Sequence, residues 1–558
     1  MFPKLLAVAS QSRWKIALVL VVFPVLFMSP ALYLGHIVGH SSALNVNWAE
    51  DFAQQIAQGN LYPRWLPNMS AGAGSPVFYF YGPLPFYLAT PFVILIGQSS
   101  LPVVCTSIIL LIFSGFACFA LCRYYASAFN ALIASLIYMI LPYHYATDIW
   151  MRAALGEQAA FIFMPLTALC LLKLADDSRY LIGLALSFAA LIFSNLPSTL
   201  LYAPVLVFLT LWIAWQSRSL LIIWRSVCGA VLGTGLSAIY LLPAYSLQNM
   251  IKASNWFQHA PEENLLVTAE MATKFGIFLF PILAIGALFL ALSILGLRDK
   301  HVAQNTKPWI IIGMTVLVMS SVLALPFWQN AGFYRIVQFP WRALTILDLS
   351  FAVMWANLWQ TKLQGKETLA MFTRVIIISS LFMATKYQYQ IYHAPSNPYV
   401  MNIVDEHRDL KLKTDGAEYL PACYQLKDGD SDKLITRDYA EKNLHAAKMP
   451  NQLNIYYFPF LTAQMGTKQV PITCDPQTGF IKYDAAAYSM PIVVTHQFLP
   501  IEKLAAKISL ASLIMLIALA IINIFWNRRE KPQSVRNLPQ LNHPTATPLT
   551  QILSRTAT

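Results

Sequence analysis

The sequence predicts a polytopic α-helical membrane protein with about twelve transmembrane helices and a small, mainly β domain near its C-terminus. Three observations predict this fold class. Hydrophobic residues make up 57% of the 558 residues and charged residues only 11%, whereas a soluble protein carries roughly 25% charged residues. Apolar runs of roughly 17–25 residues, long enough to cross the hydrocarbon core, recur along the chain. Positive charges collect in short connections between these runs.

The apolar runs give the individual helices. The first run follows Arg13 and Lys15 and is too long for the apolar region of a signal peptide, so we expect a retained helix. The run 84–97 is short and contains Pro85 and Pro91, which favours an interfacial or re-entrant helix. The predicted spans are 14–37, 101–121, 128–142, 157–174, 180–195, 198–215, 226–243, 273–296, 308–325, 343–360, 371–387 and 505–526.

Positive charges predict the orientation, because Lys and Arg are enriched in cytoplasmic loops. If both termini are cytoplasmic, the inner loops carry Arg123, Lys173, Arg179, Arg218, Arg225, Arg298, Lys300, Lys307, Lys362, Lys366, Arg374, Arg528, Arg529, Lys531 and Arg536. The formal net charge of +12 is then explained by topology, and no nucleic-acid partner is expected. The segments 38–100 (the first outer loop), 143–156, 244–272, 326–342 and 388–504 face outward. We expect a multi-pass protein of the bacterial inner (cytoplasmic) membrane.

Composition predicts four regions. Residues 1–387 form the transmembrane bundle with periplasmic loops, and 388–504 form a polar periplasmic domain with strand-like runs such as "NQLNIYYFPF". Residues 505–526 form a final transmembrane helix, and 527–558 form a cytoplasmic tail of disordered composition. Cys423 and Cys474 lie in the polar domain and could pair in an oxidising compartment.

Two adjacent acids, Glu50 and Asp51, lie in the outer segment 47–58. Trp48, Phe52 and Ile56 recur there every four residues, which predicts an amphipathic helix along the membrane surface. The acids lie away from the apolar stripe. They are expected either to face a cavity or to be part of a solvated polar face.

The stretch "YPRWLP" holds Arg64 and Trp65 on a loop stiffened by prolines. A guanidinium held in this way suits a phosphate or carboxylate. The alternative is an interfacial anchor, with Trp65 in the aromatic belt and Arg64 on lipid headgroups.

Two further outer stretches carry charge. In "LPYHYATDIWMRAALGEQ", Asp148 and Arg152 have the spacing of an i,i+4 ion pair, which is either structural or part of a site. Glu157 follows in an apolar run and needs a partner or a polar cavity. In "YRIVQFPWRALTILD", Arg335 and Arg342 flank a helix start. Asp348 lies about a turn and a half inside that helix, where an ionisable residue is a functional candidate unless it pairs within the bundle.

The sequence lacks the motifs of several common classes of functional site. The sequence contains no P-loop, no G-x-S-x-G and no G-x-G-x-x-G before a helix. The outer histidines, including His144, show no metal-ligand spacing. No cofactor is therefore certain, although a divalent metal remains possible.

Four stretches carry a resemblance to a known family: "GNLYPRWLPNMSAGAGSPVFYFYGPLPFYL", "YATDIWMRAALGE", "FPWR" and "GAEYLP". Together they resemble the bacterial membrane proteins catalogued as 6-pyruvoyl-tetrahydropterin synthase-related, which in turn resemble the GT-C glycosyltransferase superfamily. The resemblance implies a GT-C-like fold, a polyprenyl-phosphate-linked sugar donor and a catalytic carboxylate from the first outer loop. Relatives often carry an acid immediately after the first helix. This chain reads "GHSSALNVN" there, and its first acids are Glu50 and Asp51.

The resemblance and the residues combine into a functional expectation. A carboxylate acts as general base in the transfer of a sugar to a glycan, lipid or protein acceptor. The catalytic candidates are Glu50, Asp51, Asp148 and Glu157, with Glu50 or Asp51 expected to be the base and Asp148 and Glu157 to shape the site. Arginines bind phosphate and aromatics bind sugar or isoprenoid. The candidates for substrate binding are Arg64, Trp65, Tyr81, His144, Arg152, Arg335, Arg342 and Asp348. The alternatives are a transporter or flippase, because intramembrane charges and broken helices also fit that class, and a non-catalytic envelope-assembly protein.

Overall fold

A computed structural model gives the fold of the chain. The residues it describes are 10, 12–252, 261–268, 271, 273, 279–298, 300–330, 337, 339–358, 374, 377–378, 380–382, 384–385, 415–425, 451–484 and 492–529. The principal helices among them are α1 (Arg13–Phe27), α2 (Ser29–Leu34), α3 (Ser42–Ala57), α4 (Val77–Phe80), α5 (Leu84–Ile96), α6 (Leu101–Tyr125), α7 (Ala128–Ile140), α8 (Leu155–Leu174), α9 (Tyr180–Ser194), α10 (Leu196–Ser217), α11 (Leu221–Leu236), α12 (Ala238–Ser246), α13 (Leu279–Leu297), α14 (Lys300–Ser320), α15 (Leu325–Asn330), α16 (Leu344–Leu358) and α17 (Pro500–Arg529). A π-helix, Tyr143–Arg152, lies between α7 and α8.

The described residues contain fewer full-length membrane spans than the sequence predicts. Six helices are long and apolar enough to cross a bilayer, or seven if the bent pair α11–α12 counts as one span. The predicted span 180–195 is a shorter apolar helix of 15 residues, and the predicted span 371–387 lies mostly outside the described residues. The run 84–97, predicted to be interfacial or re-entrant, is an apolar helix of 13 residues. The chain is a multi-pass helical membrane protein, and the count of twelve remains a prediction.

Helix α16 lies at the centre of the bundle. All of its residues from Leu344 to Leu358 are buried, and it packs against α6, α7 and α14. A helix that is apolar on every side is buried on every side. Its outer end therefore has a fixed place beside the π-helix that carries the charged residues of the segment 143–156.

The structure corrects the prediction that helix α3 lies on the membrane surface. Trp48 and Phe52 are buried as expected, but Asn45, Glu50 and Asp51 on the other sides are buried as well. Asp51 accepts hydrogen bonds from the backbone N–H and the side-chain amide of Asn68, at 3.0 and 2.7 Å. The helix is enclosed by protein, and its acids do not form a solvated face.

The first outer loop folds back on itself beneath Trp65. Leu66 and Ser75 form an antiparallel bridge, and Gly74 turns the chain with a φ of 86°. A Cβ on Gly74 would lie 1.9 Å from Trp65 Cζ2. The indole contacts Phe458 and Phe460, with ring centroids 5.6 and 5.8 Å away. The long irregular loop therefore contributes densely packed aromatic side chains and turns made by glycine.

We expect Gly74→Ala to lower the thermal midpoint more than Gly72→Ala does. Both residues have positive φ, so each alanine costs roughly 1–2 kcal/mol of backbone strain. A Cβ at Gly72 meets nothing within 4 Å, whereas one at Gly74 strikes the indole. Thermal denaturation of the two variants separates the cost of backbone strain from that of the steric clash with the indole. Equal thermal midpoints would contradict the close packing of Gly74 against Trp65.

The described part of the segment 388–504 contains six short strands: β1 (Gln452–Tyr456), β2 (Leu461–Met465), β3 (Lys468–Val470), β4 (Thr473–Cys474), β5 (Phe480–Lys482) and β6 (Val493–His496). They form two antiparallel three-stranded sheets with orders β1-β5-β4 and β3-β2-β6. Cys423 and Cys474 are joined by a disulfide, as one of the two sequence-based alternatives predicted. A disulfide is typical of proteins in an oxidising compartment.

The bend between α11 and α12 is held by the last helix. The two helices meet at 71° around Ser237. Ser509 of α17 accepts the Ile239 N–H at 2.8 Å and donates to Gly235 O at 3.1 Å. Arg64 of the first outer loop donates to Ile239 O at 2.8 Å. Backbone groups left open by a bend must find partners away from water, and here the first outer loop and α17 supply them.

Candidate active site

The charged residues of the segment 143–156 are carried by the π-helix. Thr147 N–H bonds Pro142 O at 2.9 Å, the i to i+5 pattern of this helix type. The helix ends at Ala153, whose φ is 52°. All ten residues are buried. Isolated π-helical turns are rare and often occur at functional sites.

Arg152 is the centre of a buried charge cluster. Its Nη1 lies 2.8 Å from Asp148 Oδ1 and 2.6 Å from Glu157 Oε2. Tyr143 donates its hydroxyl to Glu157 Oε1 at 2.6 Å. The guanidinium lies 4.7 Å from the centroid of the Trp341 ring, within cation–π range. The predicted Asp148–Arg152 pair therefore exists, and Glu157 finds its partner in the same guanidinium.

Arg342 joins this cluster from the start of α16. Its Nε lies 3.8 Å from Glu157 Oε2, which is beyond hydrogen-bond distance. Its Nη1 donates to Val337 O at 3.1 Å, and burial lowers the pKa of its guanidinium. Glu157 thus holds Arg342 less tightly than it holds Arg152. About 12% of the Arg342 side chain is exposed, against 1% for Glu157.

One carboxylate oxygen of the cluster is left over. Asp148 Oδ1 takes the ion pair with Arg152, but Oδ2 has no hydrogen-bond partner among the described residues, although the side chain is fully buried. A buried carboxylate oxygen without a donor is costly. Such an atom is therefore a candidate to receive a proton or a hydrogen bond from a ligand.

Asp348 and His144, both predicted to bind substrate, lie behind the cluster. Asp348 Oδ2 accepts the backbone N–H of His144 at 3.0 Å, in the first turn of the π-helix. The His144 ring is stacked on Phe161 at 3.6 Å, and its Nδ1 lies 3.0 Å from Tyr138 O. A carboxylate suits a helix N-terminus. In this arrangement the pair supports the helix that carries Asp148 and Arg152.

Tyr81 reaches the cluster through a close junction of three segments. Gly82 of the first outer loop and Gly156 of α8 both pack on Ser194 O, where added Cβ atoms would lie 2.4 and 2.8 Å away. A Cβ on Gly156 would also lie 3.3 Å from the Tyr81 hydroxyl. Burial raises the pKa of the Tyr81 hydroxyl, and the positive charges of Arg342 and Arg152 oppose that shift.

Arg64 belongs to a second buried cluster. It pairs with Glu502 at the start of α17, with Nη1 2.7 Å from Oε1. Tyr79 donates to the same oxygen at 3.1 Å, and its hydroxyl lies 2.5 Å from His496 Nε2. Burial raises the pKa of Tyr79 and lowers that of His496. This second cluster, which we call the loop–helix clasp (Arg64, Tyr79, His496 and Glu502), joins the first outer loop to the β domain and the last helix.

Asp415, which the sequence analysis did not single out, attaches the "GAEYLP" stretch to α3. Its Oδ1 accepts the indole N–H of Trp48 at 3.1 Å and the backbone N–H of Gly416 at 2.8 Å. The neighbouring Tyr419 ring lies 5.9 Å from that of Trp48. Burial raises the pKa of the Asp415 carboxyl to about 7.

The raised pKa of Asp415 predicts a pH-dependent stability. The ordinary value is 3.8, so the folded state prefers the protonated carboxyl, and the free energy of unfolding falls as the pH rises from about 4 to about 7. The lowered pKa of His496 acts oppositely, because stability is lost as pH falls through its unfolded value of 6.5. We expect the difference in thermal midpoint between Asp415→Asn and wild type to grow in favour of the variant across pH 5–8. A pH-independent difference would contradict this prediction.

The sequence analysis missed other partners of the two clusters. Tyr143, Trp341 and Glu502 carry no local signal beyond being polar or aromatic near helix ends. Arg335 lies outside the described residues. The described residues contain no group of three or more His, Cys, Asp or Glu side chains that could hold a metal.

Comparisons with known proteins leave the family open. No protein-family model and no curated protein matches the chain, so the resemblance to the 6-pyruvoyl-tetrahydropterin synthase-related family is not supported. Among solved structures, the chain is similar to the arabinofuranosyltransferase AftD from Mycobacteria, with 16% identity, 68% of this chain and 26% of that chain covered, and a TM-score of 0.44. It is also similar to ArnT from Cupriavidus metallidurans bound to undecaprenyl phosphate, with 12% identity, 64% and 63% coverage and a TM-score of 0.41. The chain thus spans about a quarter of the first protein and less than two thirds of the second, and similarity at this level decides neither fold family nor function.

Proposed function

We propose that this chain is a GT-C-type membrane glycosyltransferase that moves a sugar from a polyprenyl-phosphate donor to an envelope acceptor. The proposal places the reaction at the periplasmic face of the bacterial inner membrane, with both termini in the cytoplasm and the domain 388–504 in the periplasm. The acceptor would be a glycan, a lipid or a protein.

One observation carries the proposal. Two arginines and two carboxylates meet in a single buried cluster at the ends of apolar helices, and one oxygen of Asp148 has no donor among the described residues. Buried charge in a membrane protein is expensive and marks functional positions. A guanidinium fits phosphate oxygens bidentately, and a carboxylate can act as general base.

Each member of the cluster has a role in the proposed reaction. Asp148 Oδ2 takes the proton of the acceptor hydroxyl while the hydroxyl oxygen forms a bond to the anomeric carbon of the sugar. The bond between that carbon and the phosphate oxygen breaks, and the polyprenyl phosphate leaves with the electron pair. Arg342 binds the developing phosphate charge, because Glu157 neutralises it less completely than it does Arg152. Glu157 and Tyr143 hold the arginines in place.

Glu50 and Asp51 become secondary candidates for the base. Asp51 already accepts two hydrogen bonds from Asn68, which suits an anchor for the first outer loop. Glu50 is buried on the same helix. Arg64 and Trp65 are held by Glu502 and by Phe458 and Phe460, so we assign them to structure instead of phosphate or sugar binding.

The decisive experiment uses the purified full chain in nanodiscs. Undecaprenyl phosphate and its sugar-carrying forms are supplied with candidate acceptors, and both lipid binding and new covalent product are measured. We expect Arg342→Gln to weaken binding of undecaprenyl phosphate about 10-fold or more, as the loss of a charge-assisted contact implies. Arg179→Gln is the matched control, since Arg179 is 60% exposed and pairs only with Asp177 among the described residues.

Three results would overturn the proposal. One is the absence of phosphate-lipid binding. Another is equal binding by Arg342→Gln and wild type. The last is movement of the lipid across the bilayer without covalent product, which would favour a transporter or flippase.

A further inference from the structure

We propose that Asn45 and Gln158, together with Asp148, form a subsite that recognises a hydroxyl-bearing sugar ring beside the charge cluster. This inference rests on the proposed function, because it names what the same site binds in addition to phosphate.

The observation is a set of three buried acceptor oxygens around one turn. Asn45 Oδ1, Asp148 Oδ2 and Gln158 Oε1 have no hydrogen-bond partner in the described part of the chain. The side chains belong to residues that are 0–2% exposed. They come from three elements, namely α3, the π-helix and the first turn of α8.

The backbone of the turn orients the Asn45 amide through a short hydrogen bond and the Gln158 amide through a longer contact. Asn45 Nδ2 donates to Ala153 O at 2.5 Å, and Gln158 Nε2 lies 3.5 Å from Asp148 O. Since each amide nitrogen faces a carbonyl, each amide oxygen is the atom left over. The segment 148–153 is therefore bordered by acceptors that lack donors, which is a costly arrangement in a protein interior.

The chemistry of the missing partner follows from the charges nearby. Three acceptor oxygens can be satisfied either by coordinating a metal ion or by accepting hydrogen bonds from hydroxyl groups. A cation is disfavoured because Arg152 Nη1 already lies 2.8 Å from the other oxygen of Asp148, with Arg342 also close to Glu157. Neutral hydroxyl donors remain. A sugar ring offers several hydroxyls on one rigid frame and can donate to acceptors that come from different elements.

The hydroxyls could belong to the donor sugar or to an acceptor sugar, and two measurements distinguish these sources. The first compares binding of undecaprenyl phosphate with that of undecaprenyl phosphate carrying glucose, galactose, arabinose or N-acetylglucosamine. The second follows binding of the free methyl glycosides by saturation-transfer NMR, with undecaprenyl phosphate present. Gln158→Met removes the amide while preserving shape, and Asp148 O keeps its hydrogen bond from Ala154 N at 3.0 Å.

We expect Gln158→Met to reduce the sugar-dependent affinity about 5- to 10-fold. If the subsite holds the donor sugar, the reduction is seen with the sugar-carrying lipids. If it holds an acceptor sugar, the reduction is seen with the free methyl glycosides. Binding of undecaprenyl phosphate alone should not change. Gln58→Met is the control, because Gln58 is exposed at the end of α3.

The inference is overturned if no sugar binds the wild type, or if Gln158→Met leaves both arms unchanged. It is also overturned if Gln158→Met raises the thermal midpoint without affecting any ligand, since the oxygens would then hold only ordered water. Failure of undecaprenyl phosphate to bind would overturn the proposed function but not the subsite, because the NMR measurement with free methyl glycosides detects sugar binding independently.

Discussion

Replacing Asp148 by asparagine is expected to lower the rate of sugar transfer by roughly 10²- to 10⁴-fold, the usual contribution of a general base. Asparagine keeps the shape and can still accept a hydrogen bond from Arg152, but it cannot take a proton from an acceptor hydroxyl. Binding of undecaprenyl phosphate should change far less, because Arg342 does not contact Asp148 through any hydrogen bond found in the described residues. The measurement is the transfer rate at saturating donor, with lipid affinity measured separately.

A folding control is essential for this variant, because Asp148 neutralises part of the Arg152 charge. Arg152 keeps Glu157 at 2.6 Å, so we expect only a modest decrease in thermal midpoint. A variant that folds and transfers sugar at the wild-type rate would exclude Asp148 as the base. Glu50→Gln and Asp51→Asn would then separate the two remaining candidates.

The second large effect concerns the loop–helix clasp. Glu502→Ala should destabilise the protein by about 3–5 kcal/mol, because it leaves the guanidinium of Arg64 buried without its carboxylate. Both side chains are almost wholly enclosed, at 6% and 0% exposure. The same change also removes the acceptor of Tyr79 and of the Leu499 N–H. The measurement is the thermal midpoint together with proteolysis of the β domain.

A double variant makes this prediction specific. Replacing both Arg64 and Glu502 by methionine removes the uncompensated charge, so its cost should be smaller than the sum of the single costs. The exposed pair Arg179–Asp177 is the control, since breaking an exposed pair costs about 1 kcal/mol or less. Strict additivity of Arg64→Met and Glu502→Met would show that the two charges do not depend on each other.

Individual helices and a pair within one helix could be predicted from the sequence, because they depend on apolar runs and on the spacing of neighbouring residues. The run 101–121 corresponds to α6 and the run 157–174 to α8. The pairing of Asp148 with Arg152 also follows from spacing. Hydropathy alone does not determine the number of spans, because it does not distinguish a span from a buried or interfacial helix in apolar runs as short as 84–97 and 180–195.

The long-range contacts could not be predicted. Arg64 and Glu502 are separated by 438 residues, and Trp48 and Asp415 by 367. The hydropathy pattern of a helix identifies its apolar face but does not show which segments pack on its polar face. The burial of Glu50 and Asp51 could therefore not be predicted. The leftover oxygens of Asn45 and Gln158 depend on the direction of two amides, which only three-dimensional contacts determine.

The loop–helix clasp also has a consequence for biogenesis. Arg64 leaves the ribosome 438 residues before its carboxylate partner Glu502, and the Ser509 hydroxyl that closes the α11–α12 bend is made later still. We therefore expect the first outer loop to stay immature, and sensitive to quality-control proteases, until the last helix has been inserted. Nascent chains arrested before residue 500 should accumulate in that protease-sensitive state.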